Sequence, residues 1–216
     1  VSPDHTSETH ALMRYADLAM YAAKEAGRSQ FRFYDPNMQY AARERRRLSK
    51  DLLGALDNNE LLLHYQPVVD LDTHQVVKAE ALIRWKHPEK GFVSPAYFIP
   101  FAEDSGMIIS IGEWVFRTAA DQLAKWYRSG FTQFQVGLNV SPVQFRGEGL
   151  NETEWIAYLA QLGLPGSAIV VELTERMLID ASNVTSDKLL AFRDAGIQVA
   201  LDDFGTGYSS LAYLRQ

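Results

Sequence analysis

At 216 residues, 47% hydrophobic and 22% charged, the chain is sized for one globular domain, or for one domain and part of another. Its formal net charge of −6 gives no global pull on a nucleic-acid polymer or an anionic membrane, so an anionic substrate would need local positive charge from arginine or bound metal. The absence of cysteine excludes disulfides, thiolate zinc sites and cysteine nucleophiles. With no apolar run of about 18 residues and no signal-peptide pattern, the segment reads as cytoplasmic and free of membrane contact.

Leu12, Ala16, Ala19, Met20 and Ala23 fall at helical spacing, with Gly27 as a stop. Phe31, Phe33 and Tyr34 then read as a short strand closed by Asp35-Pro36. One helix and one strand cannot bury a sizeable core alone, so residues 1–36 look like the end of something larger. The stretch QYAARERRRLSKDLLGALDNNE predicts a connecting helix over about 37–58. No aromatic is interleaved with its arginines, which argues against a nucleic-acid arm.

From residue 59 onward strands and helices alternate. The expected strands cover 61–69, 75–85, 134–140, 168–173 and 197–202. Expected helices cover 111–127, 152–162 and 186–195, the last stopped by Gly196. Helix then strand, repeated, argues for a parallel α/β architecture. Apolar runs at 136–140 and 169–171 are those of strands covered on both faces.

The later strands also end in polar groups. Glu80 interrupts an apolar run. Asn139 sits between Leu138 and Val140. Glu172 and Glu175 close the fourth strand, and Asp202 and Asp203 close the fifth. In parallel α/β proteins the site forms at the C-terminal strand ends. A lone acid there is most often a solvated turn residue or a cap, and Glu175 and Asp180 could be so. His64, His74 and His87 are scattered and read as structural or surface groups. It is the whole set on successive strand ends that points to a site. Glu80, Glu172, Asp202 and Asp203 would repel one another unless cations balanced them. With Asn139 they offer oxygen ligands, which suit Mg2+ or Mn2+. Gly205 and Gly207 permit a bend that would let the adjacent aspartates serve one metal each.

These residues resemble a known family. EAL at 80–82, NVSP at 139–142, ELTE at 172–175 and DDFGTGYSS at 202–210 look like the motifs of EAL-domain phosphodiesterases. HYQPVVDL at 64–71 and FIPFAE at 98–103 match as well. RYADLAMYAAKEAGRSQFRFYDP, at 14–36, resembles the C-terminal end of a GGDEF diguanylate cyclase domain, without the GGDEF signature itself. The resemblance divides the chain into a GGDEF remnant (1–36), a connecting helix (37–58) and an EAL domain (59–216). It implies a TIM-like (β/α)8 barrel whose first strand runs against the others. It also implies hydrolysis of cyclic di-GMP to linear pGpG with two Mg2+ or Mn2+ ions, and a homodimer. By motif, Glu80, Asn139, Glu172, Asp202 and Asp203 would be metal ligands, and Glu175 the anchor of the DFGTGYSS loop. Gln66, Leu82 and Arg84 would contact substrate. Two metals about 4 Å apart can clamp a phosphodiester and activate water for in-line attack, and a guanidinium suits a phosphate oxygen.

The family pattern extends beyond Gln216, to a lysine in a KxD-type motif, a further glutamate and a late glutamine. A (β/α)8 barrel takes about 250 residues, and the EAL-like portion here is shorter. The expectation is therefore a fragment of a tandem GGDEF–EAL protein, one that by itself would fold poorly and turn nothing over. The leading reading is an enzyme. The alternatives are a receptor that holds cyclic di-GMP without cutting it, and an interaction domain with no ligand.

Overall fold

The computed structural model describes residues 8–25, 29–145, 149–174 and 183–202. The chain divides into two compact units, Val1–Gly54 and Ala55–Gln216.

In the first unit, α1 spans Thr9–Glu25 and α2 starts at Pro36, running to Ala55. The helical spacing read from the sequence is α1's: Ala19 and Ala23, four residues apart, are buried. Proline at the first helical position suits α2, because that N–H has no intrahelical partner to lose. Asp35 accepts the Asn37 amide at 2.7 Å just ahead of it. The strand expected at Phe31–Tyr34 does not form; residues 30–35 carry neither helix nor strand. Alternating aromatics suggested it, but among the described residues of this unit no second strand is present to satisfy its backbone. Phe31 and Phe33 are largely exposed and meet each other edge-on at 5.5 Å. Tyr34 stacks on Tyr15 at 4.0 Å.

The second unit is a sheet with helices on one face. Its strands are β1 (Leu61–Val69), β2 (Val76–His87), β3 (Gly91–Val93), β4 (Gln135–Asn139), β5 (Ile169–Thr174) and β6 (Gln198–Asp202). The order is β1-β2-β4-β5-β6, with β3 paired to β2. β1 runs antiparallel to β2, while β2, β4, β5 and β6 are parallel. The expected reversed first strand is therefore present. Among the described residues β1 and β6 form the sheet's two edges.

Between the strands come α3 (Pro95–Asp104), α4 (Ile108–Arg128), α5 (Pro142–Phe145), α6 (Glu152–Leu162) and α7 (Asn183–Asp194). Asn151 caps α6 by accepting the Glu154 amide at 3.2 Å. Gly196, at φ 79°, provides the left-handed turn that separates α7 from β6. No helix of the described residues is long and apolar enough to cross a membrane.

Side-chain alternation along the strands divides the sheet into two faces. Ala79, Ala81, Val136, Leu138, Ile169, Val171 and Leu173 share the helix-covered face and are buried. All of these but Ala79 belong to one cluster with Phe116, Ala120 and Leu123 of α4, Trp155 and Leu159 of α6, and Phe192 of α7. Phe116 and Trp155 stack with ring centroids 4.0 Å apart. This core fixes which way the sheet faces, because a one-residue slip would bury the polar set instead. On the other face Gly137 and Val170 are buried too, as the apolar runs predicted, while Asn139 at the end of β4 is exposed.

Candidate functional site

The polar set lies on the face away from that core. Glu80 pairs in register with Gly137, Asn139 with Glu172, Glu172 with Ala200, and Thr174 with Asp202. Counting by twos from these pairs puts Glu80, Asn139, Glu172 and Asp202 on one face of four adjoining parallel strands. Asn139 and Asp202 are exposed, Glu80 and Glu172 half-buried. Gln66 sits directly across from Glu80 on β1, and His64 across from Leu82. Leu82 and Arg84 follow Glu80 on the same face, about 7 and 13 Å farther along the strand. The Arg84 guanidinium donates to the backbone carbonyl of Ile83 at 2.9 Å. Glu175 and Asp203 lie outside the described residues.

Two contacts hold members of the set in place. The Asn139 amide donates to Glu80 Oε1 at 2.5 Å. Lys78 Nζ donates to Glu172 Oε1, also at 2.5 Å, an ion pair whose side chains are 21% and 13% exposed. Lys78 was missed in the sequence. It stands two residues before Glu80, so the alternation that placed Glu80 also places the lysine on this face. Gly137 was missed too. A Cβ there would collide with Glu172 Oε1 and lie 2.9 Å from both Glu172 Cδ and Lys78 Cε. The glycine clears the space that the ion pair occupies.

The turn after Asn139 is tied down from three sides. Ser141 Oγ donates to Glu103 Oε1 on α3 at 2.7 Å and accepts the Val143 amide at 3.1 Å. The Ser141 amide donates to Gln144 Oε1 at 3.0 Å. Gln144 is buried and lies against Gly112 of α4, where a Cβ would overlap it. The NVSP and FIPFAE segments are thus joined by one hydrogen bond. Beneath Gln66, Tyr65 points to the helix side, its ring 5.0 Å from that of Trp126. Burial pushes its phenol up to about 12.

The donor chemistry can be tested for a metal. Among the described residues no three histidine, cysteine, aspartate or glutamate side chains stand close enough to hold an ion. Yet the four side chains present are all oxygen donors on one face, and none is a soft ligand. Glu80 and Glu172 each meet an N–H, the positive end of a dipole in one case and a full charge in the other. A hard cation satisfies a carboxylate in the same way, so the set fits such an ion in chemistry.

The sequence profile described as EAL domain matches residues 49–216. The chain belongs to the EAL domain family. Cyclic di-GMP phosphodiesterase PdeR of Escherichia coli K12 is 41% identical over 214 residues, covering 99% of this chain and 32% of PdeR. The bifunctional diguanylate cyclase/cyclic di-GMP phosphodiesterase MucR of Pseudomonas aeruginosa is 39% identical over 217 residues, 99% of this chain and 31% of MucR. The chain thus spans about a third of the length of these curated relatives. A solved structure of the PaMucR phosphodiesterase with c-di-GMP matches the fold with a TM-score of 0.73 at 37% identity, covering 78% of this chain and 68% of that one. The EAL-type α/β fold is common to both, and the EAL motif itself stands on β2 with its glutamate on the polar face.

Proposed function

We propose that the protein carrying this chain is a cyclic di-GMP phosphodiesterase that opens its substrate to linear pGpG. The observation that carries the reading is the register: Glu80, Asn139, Glu172 and Asp202 on one face of four consecutive parallel strands. The names of the relatives support the substrate class.

In this reading Glu80, Asn139, Glu172 and Asp202 hold divalent cations, with Asp203 serving a second one. When bound, Mg2+ or Mn2+ supplies Lewis acidity toward the phosphate and makes water easier to deprotonate. The chain's own residues bind and orient. Arg84 turns from its backbone carbonyl to a phosphate oxygen, Gln66 faces Glu80 across β1 and contacts substrate, and Leu82 packs against a guanine. Water adds its oxygen to one phosphorus, and the bond from that phosphorus to a ribose 3′ oxygen breaks. The 3′ oxygen leaves with a proton, and a single 5′-phosphate remains.

The same reading extends to the whole protein. The described strands would be part of a TIM-like EAL barrel, and Glu175 would anchor the loop after β6. Residues 1–36 would be the end of a GGDEF domain. The MucR alignment supports this, since it covers nearly the whole chain and that relative is named as a diguanylate cyclase too. A homodimer in the cytoplasm completes the proposal.

The test is incubation of the protein with cyclic di-GMP and Mg2+ or Mn2+, followed by chromatography for pGpG. Product from the wild type and at least about hundredfold less from Glu80→Gln is the expected result. Ligand binding without product in either would replace the enzyme with a receptor.

A further inference from the structure

Lys78 has no part in the reading above, yet its ammonium touches a proposed metal ligand. Three of its features are informative. It shares the polar face with Glu80, two residues away on β2. Its ion pair with Glu172 crosses from β2 to β5, bridging over β4, and both side chains are largely shielded from water. And the intervening β4 position is Gly137, where any Cβ would strike both members of the pair. A long lysine side chain reaching across a strand, with room cleared for it, is a placed contact rather than a mobile surface charge.

We infer that Lys78 is an internal counter-cation for Glu172: it holds that carboxylate in place while the site lacks metal, and it must give up the contact when a divalent cation takes the same oxygen. The inference rests on the assignment of Glu172 as a metal ligand. The ammonium and the cation want one oxygen, and like charges so close repel. Lys78 therefore weakens metal binding while keeping the acid from drifting or splaying away from Glu80. The benefit is a preformed ligand set, and the drawback is a competitor for it. The arrangement makes Lys78 a positioning residue, with no contact to the reacting atoms.

The experiment is calorimetric titration of the metal-free protein with MnCl2 alone, without nucleotide, on the wild type, Lys78→Met, Lys78→Gln and Lys86→Met. Lys86 lies on the same strand and face, about 26 Å away, and its loss removes the same charge from the molecule. The expected result is about tenfold tighter Mn2+ binding in both Lys78 variants, with Lys86→Met within about twofold of wild type because screening erases charge effects at that distance. The Lys78 variants should also unfold at lower temperature without metal and regain the loss with Mn2+. Unchanged or weaker binding in a folded Lys78 variant, beside a wild type that binds, overturns the inference and leaves the functional reading standing. Equal tightening in Lys86→Met overturns it as well. No Mn2+ binding by any of the four proteins removes the metal assignment itself, and the inference with it.

Discussion

Replacing Gly137 with alanine separates two physical accounts by sign. Strand propensity alone favours the change, because glycine in a strand interior costs roughly 0.5–1 kcal/mol relative to alanine. The structure opposes it. The new methyl would lie 2.9 Å from Glu172 Cδ and Lys78 Cε and closer still to Glu172 Oε1, so the ion pair must part or swing aside. Breaking a fully buried pair costs about 3–5 kcal/mol and an exposed one about 0–1. With side chains 21% and 13% exposed, this pair falls between, near 2 kcal/mol. Subtracting the backbone gain leaves a net loss of about 1–1.5 kcal/mol, or roughly 2–6 °C in melting temperature for a unit of this size. Thermal unfolding by circular dichroism, without metal, reads this directly. The penalty should shrink when Gly137→Ala is placed in the Lys78→Met background, since the ion pair that the new methyl would break is already gone. A Gly137→Ala protein that melts above the wild type would refute the reasoning.

Two further outcomes concern groups around the site. Ser141→Ala leaves Glu103 Oε1 and the Val143 amide without the hydroxyl they share; a loss of about 1–3 kcal/mol in stability and about tenfold in kcat/KM is expected from a looser Asn139, while Ser141→Thr, which keeps the hydroxyl, should retain most of the rate in a pGpG assay. Tyr65 has a folded-state value near 12 against an ordinary value of 10, because burial penalises the phenolate. The folded state therefore binds its proton more tightly, a stabilisation complete below pH 10 and lost as pH rises toward 12. Tyr65→Phe should remove a late step from the tyrosine absorbance titration and move alkaline unfolding to higher pH. Superimposable titrations would contradict the burial argument.

Much of this was legible in the sequence, for definite reasons. The strand at 61–69 and the helix at 152–162 have the residue bounds that periodicity assigned. Each has a marked end: Glu60 and Asp70 flank β1, and Asn151 and Gly163 cap α6. The places of Glu80, Asn139, Glu172 and Asp202 on strands were legible because each interrupts or ends an apolar run, but only Asn139 and Asp202 close their strands; Glu80 stands within β2 and Glu172 within β5, because both strands run on past the apolar stretch that was counted. Short elements were not. Three residues at 91–93 give no period to count, and α3 carries Pro100 and apolar residues on several sides. The aromatic alternation at 31–34 pointed the other way, since alternation cannot reveal whether a partner strand exists. In the site, Glu80 and its partner Asn139 were both singled out, whereas the lysine that neutralises Glu172 was not. Lys78 carries the same alternation signal as Glu80, but its role depends on reaching Glu172, 94 residues away. Gly137 could be understood only once the register placed it between them.

The central claim is that oxygen donors on one face of adjoining strands converge on divalent metal and a cyclic dinucleotide. Its most direct test is anomalous diffraction at the manganese edge, from crystals of the protein grown with MnCl2 and cyclic di-GMP. The account predicts an anomalous peak within coordination distance of Glu80, Asn139, Glu172 and Asp202, with a phosphate oxygen beside it. Density for the nucleotide elsewhere, or manganese that touches none of those four side chains, would contradict it.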